Sequence, residues 1–185
     1  MSIRLRTELE RAIFFGDIGE INRLLDMGIK ITEMDFGTAI AIGDFRIINT
    51  LLDGGAKIRF IHFREACSRG YLDIIKILLE RGFDINSTDF FEETVLFKLI
   101  RKVKHIPTFI SVVKFLWSCG ININISNYQK KTALMIAKEL NDLAYVNLLQ
   151  SYTDKMAVVS LLCNKTDNIV SGMPYDVAKI CASYL

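Results

Sequence analysis

The feature that most limits how this chain can fold is a repeat inside it. Three segments align without a gap: LERAIFFGDIGEINRLLDMGIKI from Leu9, FGTAIAIGDFRIINTLLDGGAKI from Phe36 and FREACSRGYLDIIKILLERGFDI from Phe63, each 27 residues after the one before. Ala12, Ala39 and Ala66 correspond, as do Gly16, Gly43 and Gly70, the pairs Leu24-Leu25, Leu51-Leu52 and Leu78-Leu79, and Gly28, Gly55 and Gly82. A fixed period of this length signals units too small to bury their own apolar surface, so that each has to stack on its neighbours.

Within a copy the local physics is legible. A short helix carries a small alanine where a neighbouring helix approaches closely, and a glycine such as Gly70 ends it, because the left-handed position after a helix suits a residue without Cβ. The second helix, expected in the third copy over Asp73 to Arg81, places Ile74, Ile75, Leu78 and Leu79 on one broad apolar face, and Gly82 stops it. Two antiparallel helices per copy follow, with apolar surface on both broad sides. An all-α fold is expected, and two prolines and eleven glycines in 185 residues agree with it.

Composition and motifs exclude several classes of function. Half of the residues are hydrophobic (51%) and a quarter charged (24%), enough for a real core. The formal charge of +2, without a Lys/Arg cluster, argues against nucleic acid or an anionic membrane as the main partner. No stretch is apolar for the roughly 18 to 20 residues a membrane span requires, and MSIRLRTELERAIFF mixes charge through its apolar positions, unlike a secretion signal. A cytoplasmic protein is expected. Cys67, Cys119, Cys163 and Cys181 form no C-x-x-C pair and have only His62 and His105 beside them, which is not a zinc pattern. Reduced thiols are the simpler reading, with two disulfides as the alternative.

Motifs for phosphate, dinucleotide or metal-hydrolase chemistry are missing, and no nucleophile is paired with a base. His62 reads as a helix-end side chain, His105 as a solvated residue, and Glu92-Glu93 as part of a polar turn. No catalytic residue, cofactor or metal is expected.

At this point the residues resemble the ankyrin repeat. Its pattern of T-P-L-H, two helices, L-L-x-x-G-A and a hairpin finger has the twelve-residue glycine interval seen at Gly16 to Gly28, Gly43 to Gly55 and Gly70 to Gly82. A fifth copy, NYQKKTALMIAKELNDLAYVNLL from Asn127, supplies Thr132, Ala133, Leu134, Ala137, Val146, Leu148 and Leu149, with Asn141 in place of the inter-helix glycine. A fourth, from Asp89 to Asn124, has Thr94-Val95-Leu96 and then Leu116, Trp117 and Gly120. Gly82 to Gly120 is 38 residues, and the surplus lies around KHIPTF, where Pro107 has to break or restart a helix.

The resemblance implies an ankyrin solenoid of about five helix-turn-helix repeats (about 7–33, 34–60, 61–87, 88–124 and 125–153) in a domain over 1–153, followed by C-terminal helices in a segment over 154–185. The 27-residue period is about six residues short of the family's, so stunted fingers are expected in the first three copies and full ones only at Asn86 to Glu93 and Asn124 to Lys131. The family histidine is replaced by Glu10, Gly37, Arg64, Phe97 and Met135, so its bond between neighbouring repeats is absent. Ankyrin proteins bind other proteins on a concave face of finger tips and first helices. Phe90, Phe91, Tyr128 and Gln129 are therefore the candidates for partner binding, while Trp117 falls at a core leucine position.

The tail departs from the repeat. A helix is expected over Lys155 to Cys163, then a polar stretch, then Met173-Pro174-Tyr175-Asp176-Val177-Ala178-Lys179-Ile180-Cys181-Ala182-Ser183-Tyr184-Leu185. This ending resembles the opening helix of an F-box, L-P-x-E-h-x-x-x-I-h-S-Y-L. Repeats followed by a truncated F-box-like segment resemble the ankyrin host-range proteins of poxviruses, whose ends recruit Skp1 of a cullin ubiquitin ligase. Met173, Pro174, Tyr175, Val177, Ile180, Tyr184 and Leu185 would be the recruiting residues. An amphipathic helix capping the last repeat accounts for the same residues. Two functions are thus expected: an adaptor delivering a captured host protein to Skp1 and cullin, or a stoichiometric inhibitor or decoy whose tail only caps the fold. In either case the chain is expected to be a monomer.

Overall fold

A computed structural model describes residues 3–163 of the chain. Ten helices occur there: α1 (Ile3–Phe15), α2 (Ile18–Asp26), α3 (Glu33–Ile42), α4 (Phe45–Asp53), α5 (Phe60–Arg69), α6 (Leu72–Glu80), α7 (Val95–Lys102), α8 (Ile106–Ser118), α9 (Ala133–Glu139) and α10 (Leu143–Cys163). The only β feature among the described residues is an isolated antiparallel bridge between Ser126 and Thr132. The chain divides into two compact units, Met1–Asp84 and Ile85–Leu185.

The first unit is three helical hairpins. Gly16, Gly43 and Gly70 end the first helices with φ of 73°, 82° and 75°, and Asp17 and Asp44 then accept bonds from the N–H groups of Glu20 and Arg46 to start the second helices. Gly43 is doubly constrained: besides its positive φ, a Cβ there would lie 2.8 Å from the Tyr71 ring. The alanines at the repeated position are buried, Ala12, Ala39 and Ala66 alike, and the first helices pack in order, α1 on α3 and α3 on α5. The second helices do the same, α2 on α4 and α4 on α6. Leu9, Ile13, Leu24, Phe36, Ile48, Leu51, Phe63, Ile75 and Leu78 form the core between these layers. Helix α6 lies one residue earlier than the sequence suggests. Of its four apolar positions Ile74, Ile75 and Leu78 are buried, while Leu79 is half-buried.

Polar bonds between copies are present although the family histidine is not. The Arg6 guanidinium on α1 donates to the buried Asp35 carboxylate and to Thr32 Oγ1 (2.9 Å), the pair that forms the capping box of α3. Further along, Arg59 pairs with Glu33 (3.0 Å), and Arg81 with Asp53 (2.7 Å) and Asn49 (2.5 Å). His62 is buried, and its Nδ1 accepts from the Arg59 N–H (3.2 Å), closing the start of α5. Burial lowers its pKa below the ordinary histidine value. This is the helix-end role the sequence suggests.

The second unit holds the longer copies. The connections α2–α3 and α4–α5 span only residues 27–32 and 54–59, whereas α6–α7 and α8–α9 span 81–94 and 119–132. The sequence therefore places the two extended fingers correctly. Around Pro107 the chain stops α7 at Lys102 and restarts as α8 at Ile106, with Pro107 in the first turn and the exposed His105 ring accepting from the Thr108 N–H. The Val103 carbonyl, released by the end of α7, accepts instead from the Tyr145 hydroxyl of α10. Asn141 adopts φ 54° between α9 and α10, as its replacement of glycine requires. Trp117 is half-buried and stacks on Tyr152 with ring centroids 4.4 Å apart.

One element differs from expectation. The helix expected to begin at Lys155 is the second half of α10, which runs without a break through the division expected at 153/154. No glycine or proline lies between Leu143 and Cys163 to interrupt it.

Candidate functional site

The two fingers of the second unit are built alike. In the first, Asp89 Oδ1 accepts from the N–H groups of Phe91 (2.9 Å) and Glu93 (3.1 Å), and the Asp89 N–H donates to the Glu93 carbonyl (3.1 Å). In the second, Asn127 Oδ1 accepts from Gln129 (3.0 Å) and Lys131 (3.1 Å), and the Asn127 N–H donates to the Lys131 carbonyl (2.9 Å). The fourth residue of each loop, Glu92 and Lys130, takes a left-handed φ of 57° and 59°. An Asx side chain at the first position thus ties each loop closed and leaves its second residue, Phe90 or Tyr128, directed outward. The two loops are 38 residues apart, the same separation as Gly82 and Gly120.

Three of the four partner-binding candidates come together. The Tyr128 N–H donates to the Phe91 carbonyl (3.1 Å), the two rings lie 5.9 Å apart at 44°, and Gln129 Nε2 donates to the Tyr128 hydroxyl (3.1 Å). Lys98 Nζ sits 5.6 Å over the Phe91 ring, a cation–π contact. Phe91 and Tyr128 nevertheless keep 56% and 55% of their surface exposed, and Phe90 at the loop tip is wholly exposed. What sets these rings apart from the other exposed aromatics of the chain is that they ride on loops tied closed by Asp89 and Asn127.

The group that fixes this face is Glu93, which the sequence presents only as half of a polar turn. The structure corrects that reading: Glu93 is buried, and Lys98 Nζ (2.6 Å), Arg101 Nη1 (2.5 Å) and Asn127 Nδ2 (3.4 Å) converge on its carboxylate. Burial alone would raise its pKa, but the bonds from Arg101, Lys98 and Asn127 outweigh burial and hold it down to about 2. Lys98 also bridges to Asp89 Oδ2 (2.6 Å). Burial pushes the Asp89 pKa up, but Lys98 and the N–H groups of Glu93 and Phe91 hold it below the ordinary value. Through Asn127 the Glu93 carboxylate links the two fingers, whose aromatic residues ride on the loops it anchors. The matching Asx residues, each followed five positions later by a helix-starting threonine (Thr94, Thr132), are the sequence signal that identifies the paired loops.

Chemically, the paired fingers present exposed rings over an ion-paired base. Both carboxylates are occupied by cations at short range and have no base or nucleophile beside them. No cluster of three or more His, Cys, Asp or Glu residues suited to a metal ion occurs among the described residues, and no described helix is long and apolar enough to cross a membrane. Cys67 is buried and unbridged, with its thiol pKa pushed well up by burial, and Cys119 is also unbridged. The residues read from sequence as a Skp1-recruiting ending, Met173, Pro174, Tyr175, Val177, Ile180, Tyr184 and Leu185, lie outside the described residues.

Comparison with known proteins agrees with the helical hairpins. A family model described as ankyrin repeats, three copies, matches residues 63–167, more than half of the chain. No curated protein matches it. Ahead of that match, α1 to α4 repeat the same helix–glycine–helix geometry, so the hairpins extend over both units. The chain belongs to the ankyrin-repeat family, whose repeats are protein-binding modules.

Proposed function

We propose that the chain is a non-enzymatic adaptor that captures a protein through the finger face of Phe90, Phe91, Tyr128 and Gln129. The observation that carries this reading is the pair of exposed rings on loops held closed by Asp89 and Asn127 and joined through buried Glu93. Rigid aromatic side chains lose little entropy on binding and dominate interface energies. The ion pairs keep the loops ordered before a partner arrives, so binding need not order them.

In the second half of the proposal, residues 173–185 recruit Skp1 and hence a cullin ubiquitin ligase, in the cytoplasm of a host cell. Its support is the resemblance of the ending M-P-Y-D-V-A-K-I-C-A-S-Y-L to an F-box opening and of the whole order to poxvirus host-range proteins. The test is a pull-down from cell lysate with the full chain, with a chain ending at Ser171, and with Phe91→Ala/Tyr128→Ala, probing for Skp1 and cullin. Loss of both on truncation, with the circular dichroism of the repeats intact, supports the adaptor. Retention of a target by the truncated chain, with neither Skp1 nor cullin bound by any version, refutes delivery and leaves a stoichiometric inhibitor. A target still bound by the double variant would overturn the finger face.

A further inference from the structure

A groove of about 500 Å³ lies between α3 and α5 in the first unit, lined chiefly by Met34, Gly37, Ala41, Ile61 and Arg64. Its volume is that of a site for one or two side chains of a ligand. Two features of it have no explanation in the fold. Gly37 sits inside α3 with helical backbone, where glycine is the least favourable residue short of proline, and a Cβ built on it meets nothing within 4 Å. Neither a left-handed φ nor a close neighbour calls for glycine there. What its missing side chain leaves is depth in the groove.

The second feature is Arg64. It holds the repeat position in the third copy that Gly37 holds in the second, so the two lie side by side on neighbouring helices and line the same groove. Its Nε is shielded from solvent without a hydrogen-bond partner, and the guanidinium makes no hydrogen bond or ion pair among the described residues. The nearby carboxylates are taken: Glu33 pairs with Arg59 (3.0 Å) and Glu65 with Arg69 (2.8 Å). With Nε shielded, the terminal N–H groups of the guanidinium remain as donors, and beside exposed Met34 and Ile61 they fit a carboxylate next to an apolar side chain. A polyanion does not suit the groove, since one guanidinium stands between two acidic rims.

We infer that the α3–α5 groove is a docking site for a protein segment bearing an apolar side chain within two residues of an Asp or Glu, the apolar group seated over Gly37 and the carboxylate on Arg64. This rests on the reading of the chain as a protein-binding module, but it concerns a face separate in sequence from the fingers and can fail independently of them.

The experiment is selection of a phage-displayed random heptapeptide library on the full chain, followed by affinity measurements of the selected synthetic peptides on variants. The expected peptides carry an aliphatic or aromatic residue close to an acidic one. Their affinity falls at least tenfold in Gly37→Leu, which fills the groove from a helical position with free space, and in Arg64→Gln, while Gly37→Ala and Phe91→Ala/Tyr128→Ala change it less than threefold. Gly37→Leu should melt no lower than the wild type, so a loss of binding there is not a loss of fold. Peptides without an acidic residue, or affinities for Gly37→Leu and Arg64→Gln within twofold of wild type, overturn the inference. Peptides lost only in Phe91→Ala/Tyr128→Ala overturn it while upholding the finger face, and a library yielding no binder counts against both.

Discussion

Replacing Glu93 by glutamine tests whether one buried carboxylate fixes the finger face. In the folded chain Glu93 has a pKa of about 2, against an ordinary value of 4.5. Its ionised form is therefore favoured by folding, and the stability it supplies is complete above pH ~4.5 and is lost as the pH falls towards 2. At about 1.4 kcal/mol per pKa unit the full contribution is ~3 kcal/mol, of which ~2 kcal/mol is already gone at pH 3. Glu93→Gln keeps the shape of the side chain but not its charge, and leaves Arg101 and Lys98 facing a neutral amide. It should be less stable than the wild type by ~3 kcal/mol at pH 7 and by only ~1 kcal/mol at pH 3. Asp89 titrates in the same direction and shares Lys98 with Glu93, so the difference between the two pH profiles reports Glu93 together with its coupling to Asp89. Urea unfolding followed by the fluorescence of Trp117, the single tryptophan, reports on the unit that contains Glu93. Parallel pH profiles for the two proteins would refute the assignment of Glu93 as the anchor of the fingers.

Other expectations follow from the first unit. Gly43→Ala should lower stability by about 1–2 kcal/mol through the left-handed φ alone, and further through the Tyr71 ring, whereas Gly37→Ala should raise it by about 0.5–1 kcal/mol; paired thermal melts would separate them, and equal shifts would contradict the geometry of both sites. Arg6→Met strands the buried Asp35 carboxylate and should cost about 3 kcal/mol in urea unfolding, and a loss below ~0.5 kcal/mol would mean the pair is no better than a surface ion pair. Ile13→Asp should unfold the N-terminal hairpin, seen as loss of amide protection over α1 and α2, and an unchanged thermal midpoint would show the first repeat to be in a different register. Cys67 should resist iodoacetamide in the native chain and react only on unfolding, as peptide mapping by mass spectrometry would detect; rapid native labelling would rule out its burial.

Much of the fold is legible in the order of small and apolar residues. The glycine at the end of each first helix and the leucine pair before the next glycine translate directly into hairpins, because a positive φ and a broad apolar stripe are local properties of the chain. The length of each connection follows from the spacing between repeats, which is why the extended fingers are legible at residues 86–93 and 124–131. Glu93 was not legible in this way. Beside Glu92 it looks like a solvated turn residue, and its burial depends on Lys98 and Arg101 being brought back by α7 and on Asn127 arriving from 34 residues away. The groove over Gly37 was hidden for a similar reason: the glycine is visible in the second copy, but the space beside it is bounded by the neighbouring helix α5. Helix α10 crosses the division expected at 153/154 because the backbone registers only breakers and caps, and the change of sequence pattern there brings no glycine or proline.

A chain assembled from near-copies faces a problem of address, since each hairpin offers much the same apolar surface to every other. Asp35 finds Arg6 only when the second copy lies on the first, and Glu93 finds Asn127 only when the fourth and fifth are neighbours. A second copy stacked elsewhere would gain its hydrophobic contacts but bury Asp35 without Arg6, at a cost of several kcal/mol, whereas a misplaced fifth copy would deprive Glu93 only of its bond from Asn127, since Lys98 and Arg101 of its own copy stay beside it. A buried acid paired across the seam of two copies thus distinguishes the native order of the repeats from a shuffled one that burial of leucine and isoleucine alone would tolerate.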